Sequence, residues 1–177
     1  HLKQIFDDQL ENIRKRIANG EVEAAKVEMD HFQKSLDETR PEEYCQNRVV
    51  NAVMSEKAKQ CRKRNIELDA ELMVPAALRM DALQICSLFS NLMDNAIEAV
   101  TIENTKECRW IRVNTEVKNA YLCIKISNPA APSHVVRKKR DGHGYGTKII
   151  QDIVKQYDGV YKTEYRQRVY TATLGIK

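Results

Sequence analysis

Two asparagines, Asn91 and Asn95, stand four residues apart in the stretch Asn91-Leu92-Met93-Asp94-Asn95-Ala96-Ile97-Glu98-Ala99, which otherwise favours a helix. Asn competes for its own backbone and is a poor helix former, so two of them at this spacing need a reason. With Glu98 three residues further on, they project from one side of a helix, away from the centre of its apolar face. They could cap or bridge neighbouring loops. The chemical alternative is that neutral carboxamide oxygens, with Asp94 and Glu98 nearby, offer hard ligands or water contacts to a magnesium ion that also rests on substrate phosphates.

A second group is Gly142-His143-Gly144-Tyr145-Gly146, followed by Thr147 and Lys148, where a long loop enters a helix. Glycines at alternate positions let a backbone approach an anion closely, and the N–H groups and dipole of a helix start attract phosphate. Many glycine-rich turns are ordinary loop-to-helix junctions. Here Arg137, Lys138, Lys139 and Arg140 come immediately before it, on a loop long enough to act as a lid. The lid is expected to be mobile until a triphosphate neutralises its charges. The plainer account of that run is a solvated basic patch or a localisation signal.

These groups need elements to hold them. Phe6, Leu10, Ile13 and Ile17 recur at helical steps, Asn19-Gly20 stops them, and Val22, Ala25, Met29, Phe32 and Leu36 form a second stripe. The pattern predicts a helical hairpin over 1–40, whose narrow seams pair with a second copy or with the rest of the chain. Past Pro41 the pattern changes: a helix carries Val49, Val50, Val53 and Met54 into the basic run 57–64, and Ile66, Leu68 and Leu72 alternate as a strand. The helix of the two asparagines is predicted over 81–100, with Asp81 as N-cap. Strands follow at 111–117 and 121–127 about a turn at 118–120, a helix at 145–157 stopped by Asp158-Gly159, and strands at 160–165 and 169–176. Domain 41–177 therefore reads as an α+β two-layer sandwich with a mixed, mostly antiparallel sheet and helices on one face.

Composition limits the function classes. The 177 residues carry 42% hydrophobic and 31% charged residues, enough to bury a core. Lys plus Arg number 29 against 25 Asp plus Glu, a net +4 that suits local anion sites more than coating a polyanion. With aromatics at 6% and none among Lys57, Lys59, Arg62, Lys63 and Arg64, a nucleic-acid binder would lack stacking platforms. Five cysteines, an odd number without C-x-x-C spacing, argue against a disulfide framework and a zinc site, which predicts a reducing, cytoplasmic setting. No apolar run of about 18 residues occurs and no leader-like stretch opens at His1.

The two chemical groups, in this order and separated by a strand pair, resemble the ATP-binding domain of the GHKL superfamily of histidine kinases, gyrase-type ATPases and related proteins. Asn91 to Ala99 looks like its N box, and Gly142 to Gly146 with Thr147-Lys148-Ile149-Ile150 looks like its second glycine box. The Asn95-Ala96-Ile97-Glu98-Ala99 wording, Val50-Asn51-Ala52-Val53 and the preceding hairpin are similar to sensor histidine kinases of the peptide-pheromone, quorum-sensing type. The resemblance implies a Bergerat-type fold, with ATP and Mg²⁺ as cofactors. It makes Asn95 the magnesium ligand and places Asn91 beside metal and phosphates, where hydrolysing relatives carry a general-base glutamate. Glu98 supports them from outside. Lys138, Lys139, Arg140, Gly142, His143, Gly144, Tyr145, Gly146, Thr147 and Lys148 take the phosphate side.

Two departures accompany the likeness. The superfamily's first glycine box, Asp-x-Gly-x-Gly, is missing, and Ile126-Ser127-Asn128-Pro129 stands in the matching stretch, so Asn128 becomes the adenine-side candidate. The acceptor histidine is also missing: His1-Leu2 resembles a pair that lies after it in that branch, which places the acceptor upstream of His1, and His31 reads as structural or solvated. The implied protein is a dimeric two-component kinase, with a response regulator as partner, a membrane sensor region upstream and no nucleic acid. A GHKL serine kinase or ATPase, or a nucleotide-binding pseudokinase scaffold, are the other readings.

Overall fold

The computed structural model describes residues 11–39, 43–102, 109–131 and 144–177. The chain divides into two compact units, His1–Pro41 and Glu42–Lys177. In the first, residues 11–18 are helical (α1) and α2 spans Val22–Thr39. Gly20 makes the reversal between them at φ +79°, a conformation that costs glycine little. Ile13 and Ala25 are buried, and Arg16 reaches both Glu21 (3.1 Å) and Glu28 (2.7 Å) across the turn.

The second unit follows the order α3 (Arg48–Lys63), β1 (Glu67–Leu72), α4 (Ala82–Ile102), β2 (Trp110–Lys118), β3 (Tyr121–Pro129), α5 (Tyr145–Gln156), β4 (Val160–Arg166) and β5 (Val169–Ile176). The sheet order is β1-β2-β3-β5-β4. Only β1 and β2 run parallel, because α4 supplies the crossover that a parallel pair requires. The other three pairings are antiparallel, so the mixed, mostly antiparallel sandwich expected from the pattern is the one formed.

Alternation divides the sheet. Ile111, Val113, Leu122, Ile124, Ile126, Ala172, Leu174 and Ile176 point into the core, beneath Leu88, Phe89, Leu92, Met93 and Ala96 of α4. Each large core side chain contributes about 1.5–3 kcal/mol by leaving water. Helix α4 packs between α3 and α5. The opposite face is polar: Arg112 pairs with Asp69 at 2.8 Å and lies over Trp110, and Asn114 donates to Glu71 at 3.1 Å.

Turns follow the register more tightly than the sequence pattern suggested. Lys118 pairs with Tyr121, so the β2–β3 turn is Asn119-Ala120 alone, with φ of 52° and 65°. Gln167 and Arg168 do the same for β4–β5, at 49° and 63°. Both are the mirror-image turns that match strand twist. After α5 the positive φ falls on Asp158, not on Gly159. Gly159 answers a different demand, since a Cβ there would sit 2.5 Å from the Gly175 carbonyl oxygen. The four described cysteines, Cys45, Cys61, Cys86 and Cys123, are free thiols. No described helix is long and apolar enough to cross a membrane.

Candidate functional site

Helix α4 begins at a side-chain cap. Asp81 accepts from the Gln84 amide at 2.8 Å, which satisfies one of the N–H groups a helix start leaves open. The helix then buries Ile85, Leu88, Phe89, Leu92, Met93, Ala96 and Ile97, and Asn91 and Asn95 fall at the half-buried margin of that face. Asn91 donates from Nδ2 to the Ser87 carbonyl at 2.7 Å. That bond fixes the carboxamide and directs Oδ1 away from its own helix.

Oδ1 is directed at α5. A Cβ built on Gly146 would lie 2.8 Å from Asn91 Oδ1, so the two sequence groups meet where only glycine leaves room. Gly144 is the N-cap of α5 and offers no side-chain cap, and the first turn contains no acidic residue. Thr147 and Lys148 amides turn back to the Gly144 carbonyl at 2.9 and 3.3 Å. Among the described residues, no side chain therefore neutralises the positive dipole end at the start of α5. Thr147 is 6% exposed, and its Oγ1 is buried without a hydrogen-bond partner among the described residues. A buried hydroxyl left unpaired costs free energy unless something else bonds it. Tyr145, 91% exposed, and Lys148 stand in solvent beside this point.

Further along, Asn95 and Ala96 of α4 face a narrow cleft shared with Asn128, Ala172, Tyr161 and Tyr170. Asn128 is 1% exposed and donates from Nδ2 to the Pro129 carbonyl at 2.8 Å. Burial raises the Tyr161 phenol well above its ordinary pKa, reinforced by the neighbouring Tyr170 and its hydrogen bond. The sequence singles out neither tyrosine, because an aromatic in a strand reads as core packing; in the sheet Tyr170 is cross-strand to Asn128.

Asp94 is not part of this arrangement. It turns toward α3, where Lys57 Nζ meets Asp94 Oδ1 at 2.6 Å with the lysine nearly buried. Neighbours on a helix are about 100° apart, which separates Asp94 from Asn95. Glu98 is exposed. Asn51 is structural: its Oδ1 accepts from the Tyr44 and Cys45 amides at 2.5 and 3.2 Å. Lys138, Lys139, Arg140, Gly142 and His143 lie outside the described residues, as do His1 and the side chain of His31.

Among the described residues, no group of three or more His, Cys, Asp or Glu could hold a metal ion. A cation here would rest on carboxamide oxygens and on a ligand's own phosphates, a donor set that suits magnesium. The Thr147 hydroxyl and the α5 start, neither of them satisfied by a side chain among the described residues, suit the phosphates, while the space beside Gly146 is taken by Asn91 Oδ1.

A family model described as the GHKL domain matches residues 80–177, more than half of the chain. Nothing among curated proteins matches the sequence. Among solved structures, a nucleotide-free catalytic domain of the histidine kinase ThkA superposes with a TM-score of 0.55 at 21% identity, covering 72% of this chain and 90% of that one. The mycobacterial sensor histidine kinase MprB gives 0.53 at 16% identity, covering 72% and 92%. At these identities the likeness establishes the fold.

Proposed function

The chain belongs to the GHKL domain family, and from that membership we propose that it is the Mg-ATP-binding catalytic core of a sensor histidine kinase of the peptide-pheromone type. What carries the reading is the meeting of Asn91 with Gly146, which joins a carboxamide margin to an uncapped helix start. In this reading Asn95 and Asn91 hold magnesium, with Glu98 outside them. Bound there, the ion would offset phosphate charge and help orient the phosphoryl group that is transferred.

The chain's own residues do the rest. Amides at the start of α5 and the Thr147 hydroxyl donate to phosphate oxygens, with Lys148 adding charge. Asn128 takes the base side. Asn91 has no ionisable group and cannot take a proton from water, so this position does not prepare a hydrolytic nucleophile, and a side-chain acceptor suits it better. Lys138, Lys139, Arg140, Gly142 and His143 are assigned to a covering lid by their sequence alone. The hairpin joins two copies in a homodimer and presents a histidine that lies upstream of His1. The phosphoryl group then passes to an aspartate of a response regulator. The protein acts on the cytoplasmic side of a membrane anchored through upstream residues.

The test is chemical. A chain extended upstream to restore the first helix should take label from γ-labelled ATP in an acid-labile, base-stable form, because a phosphoramidate loses its phosphate on protonation and a phosphoserine does not. The chain from His1 should not label. Acid-stable label would turn the reading to a serine kinase, and tight ATP binding without any label would make it a pseudokinase scaffold.

A further inference from the structure

We propose that the outer edge of β4 pairs with the same edge of a second copy, antiparallel about a two-fold axis at Thr163, so that Lys162 of each copy meets the partner's Glu164. The contact uses neither the nucleotide site nor the hairpin.

Strand β4 ends the sheet order on one side, so among the described residues no strand lies along its outer edge. The register decides which backbone groups face outward. Ala130 donates its amide to the Arg168 carbonyl, and Tyr170, Ala172 and Leu174 continue that row toward β3. Alternation then turns the backbone groups of Val169, Thr171, Thr173 and Gly175 toward β4, where they pair with Arg166, Glu164, Lys162 and Val160. The N–H and C=O groups of Tyr161, Thr163 and Tyr165 are left pointing out of the sheet. Val160, Lys162, Thr163, Glu164 and Arg166 are exposed. An open groove lined by Gln151, Val154, Lys155, Asp158, Gly159 and Tyr161 lies between the end of α5 and the start of β4.

Proteins blunt a bare edge with charge, and Lys162, Glu164 and Arg166 could serve that purpose. Their order favours pairing. With the axis at Thr163, the hydrogen-bonded positions set Tyr161 against the partner's Tyr165 and Thr163 against the partner's Thr163, for about six backbone bonds in all. Lys162 and the partner's Glu164 fall at a non-hydrogen-bonded position, where side chains stand closest, and the symmetry repeats the pair. Opposite charges and aromatic pairs at such positions stabilise a sheet. Moving the axis by one residue would set Lys162 against the partner's Lys162, or Glu164 against the partner's Glu164, and like charges oppose both. Glu164 already holds Arg166 Nε at 2.6 Å, so the partner's Lys162 extends an ion pair that is already formed.

A strand pair of this length is small for a free-standing interface, so the experiment traps it covalently. Thr163 meets the partner's Thr163 across the axis with about 5.5 Å between Cα atoms, within disulfide reach. The whole chain carrying Thr163→Cys, oxidised at high concentration, should form a 163–163 disulfide, identified by peptide mass apart from the native cysteines. Thr173→Cys, exposed one strand further in, should not link to itself. Each rate is taken relative to alkylation of the same thiol by iodoacetamide. Adding Lys162→Glu to Thr163→Cys should abolish the link, and Lys162→Glu together with Glu164→Lys should restore it, a recovery that misfolding could not produce. Linking by Thr163→Cys no faster than by Thr173→Cys would overturn the pairing. So would a link that survives Lys162→Glu, or one that the double reversal fails to restore, and the charges would then be guards of a solitary edge.

Discussion

Asn91 and Asn95 share a chemistry and a helix margin, yet the structure uses them differently. Asn91 is fixed by Ser87 and abuts Gly146, whereas Asn95 faces the cleft toward Asn128. The pair was legible in the sequence because two asparagines within an apolar helix conflict with propensity. Asp94 was grouped with them because it is adjacent in sequence, and the helical turn separated it. Nothing local could mark the cleft beside Asn95, whose lining depends on how three strands pair. The two glycines near α5 also part company, which yields a prediction. Among the described residues nothing stands within 4 Å of where a Cβ on Gly144 would be, so Gly144→Val should keep the folded chain's stability and lose nucleotide affinity through blocked approach of phosphate. Gly146→Val meets Asn91 Oδ1 and should lose both stability and affinity. Thermal melts with nucleotide titration separate these outcomes, and a Gly144→Val chain that binds ATP normally would remove the loop from the phosphate site.

Elements hold the site through their ends. Asp81 caps α4 at an exposed position, whereas Asn47 caps α3 while 3% exposed, accepting from Val49 and Val50 amides at 3.1 Å each. Asn47 Nδ2 also donates to the Pro75 and Ala76 carbonyls, at 3.4 and 3.2 Å, tying the α3 start to the segment after β1. Asp81→Ala should therefore cost about 1 kcal/mol and Asn47→Ala about 2–3 kcal/mol, because the second also orphans buried backbone groups. Urea midpoints at unchanged slope give the comparison, and equal losses would show that the Pro75 and Ala76 bonds contribute nothing. The Asp81 cap was readable from an acid placed before an apolar period. The second role of Asn47 was not, since the carbonyls to which it donates lie 28 and 29 residues away. Strand existence was likewise visible in the alternation of β2, β3 and β5, but the order β1-β2-β3-β5-β4 follows from long-range pairing that no local pattern encodes.

At the scale of the whole molecule, the sandwich has its own core and the hairpin keeps apolar side chains in solvent. Ile17, Val22, Val27 and Met29 are all exposed in the first unit. Val22 and Met29 belong to the α2 stripe that also contains the buried Ala25, and a second copy would cover them. If the proposed homodimer forms there, Met29→Lys should shift sedimentation toward the monomer, and Val27→Lys, off that stripe, should leave the dimer intact. Equal behaviour of the two variants would place the contact elsewhere. In the proposed function, carboxamides and an uncapped helix start make a magnesium-dependent nucleotide site. Its most direct test is calorimetric titration of the chain with ATP, with magnesium and with the metal chelated, for the wild type and for Asn95→Ala, a substitution that an α-helix accepts readily. Binding by the wild type should weaken at least about tenfold without magnesium, as loss of a metal bridge to phosphate requires, and the Asn95→Ala chain should stay folded and no longer respond to the metal. Equal ATP affinity in the two chains, with or without magnesium, would contradict it.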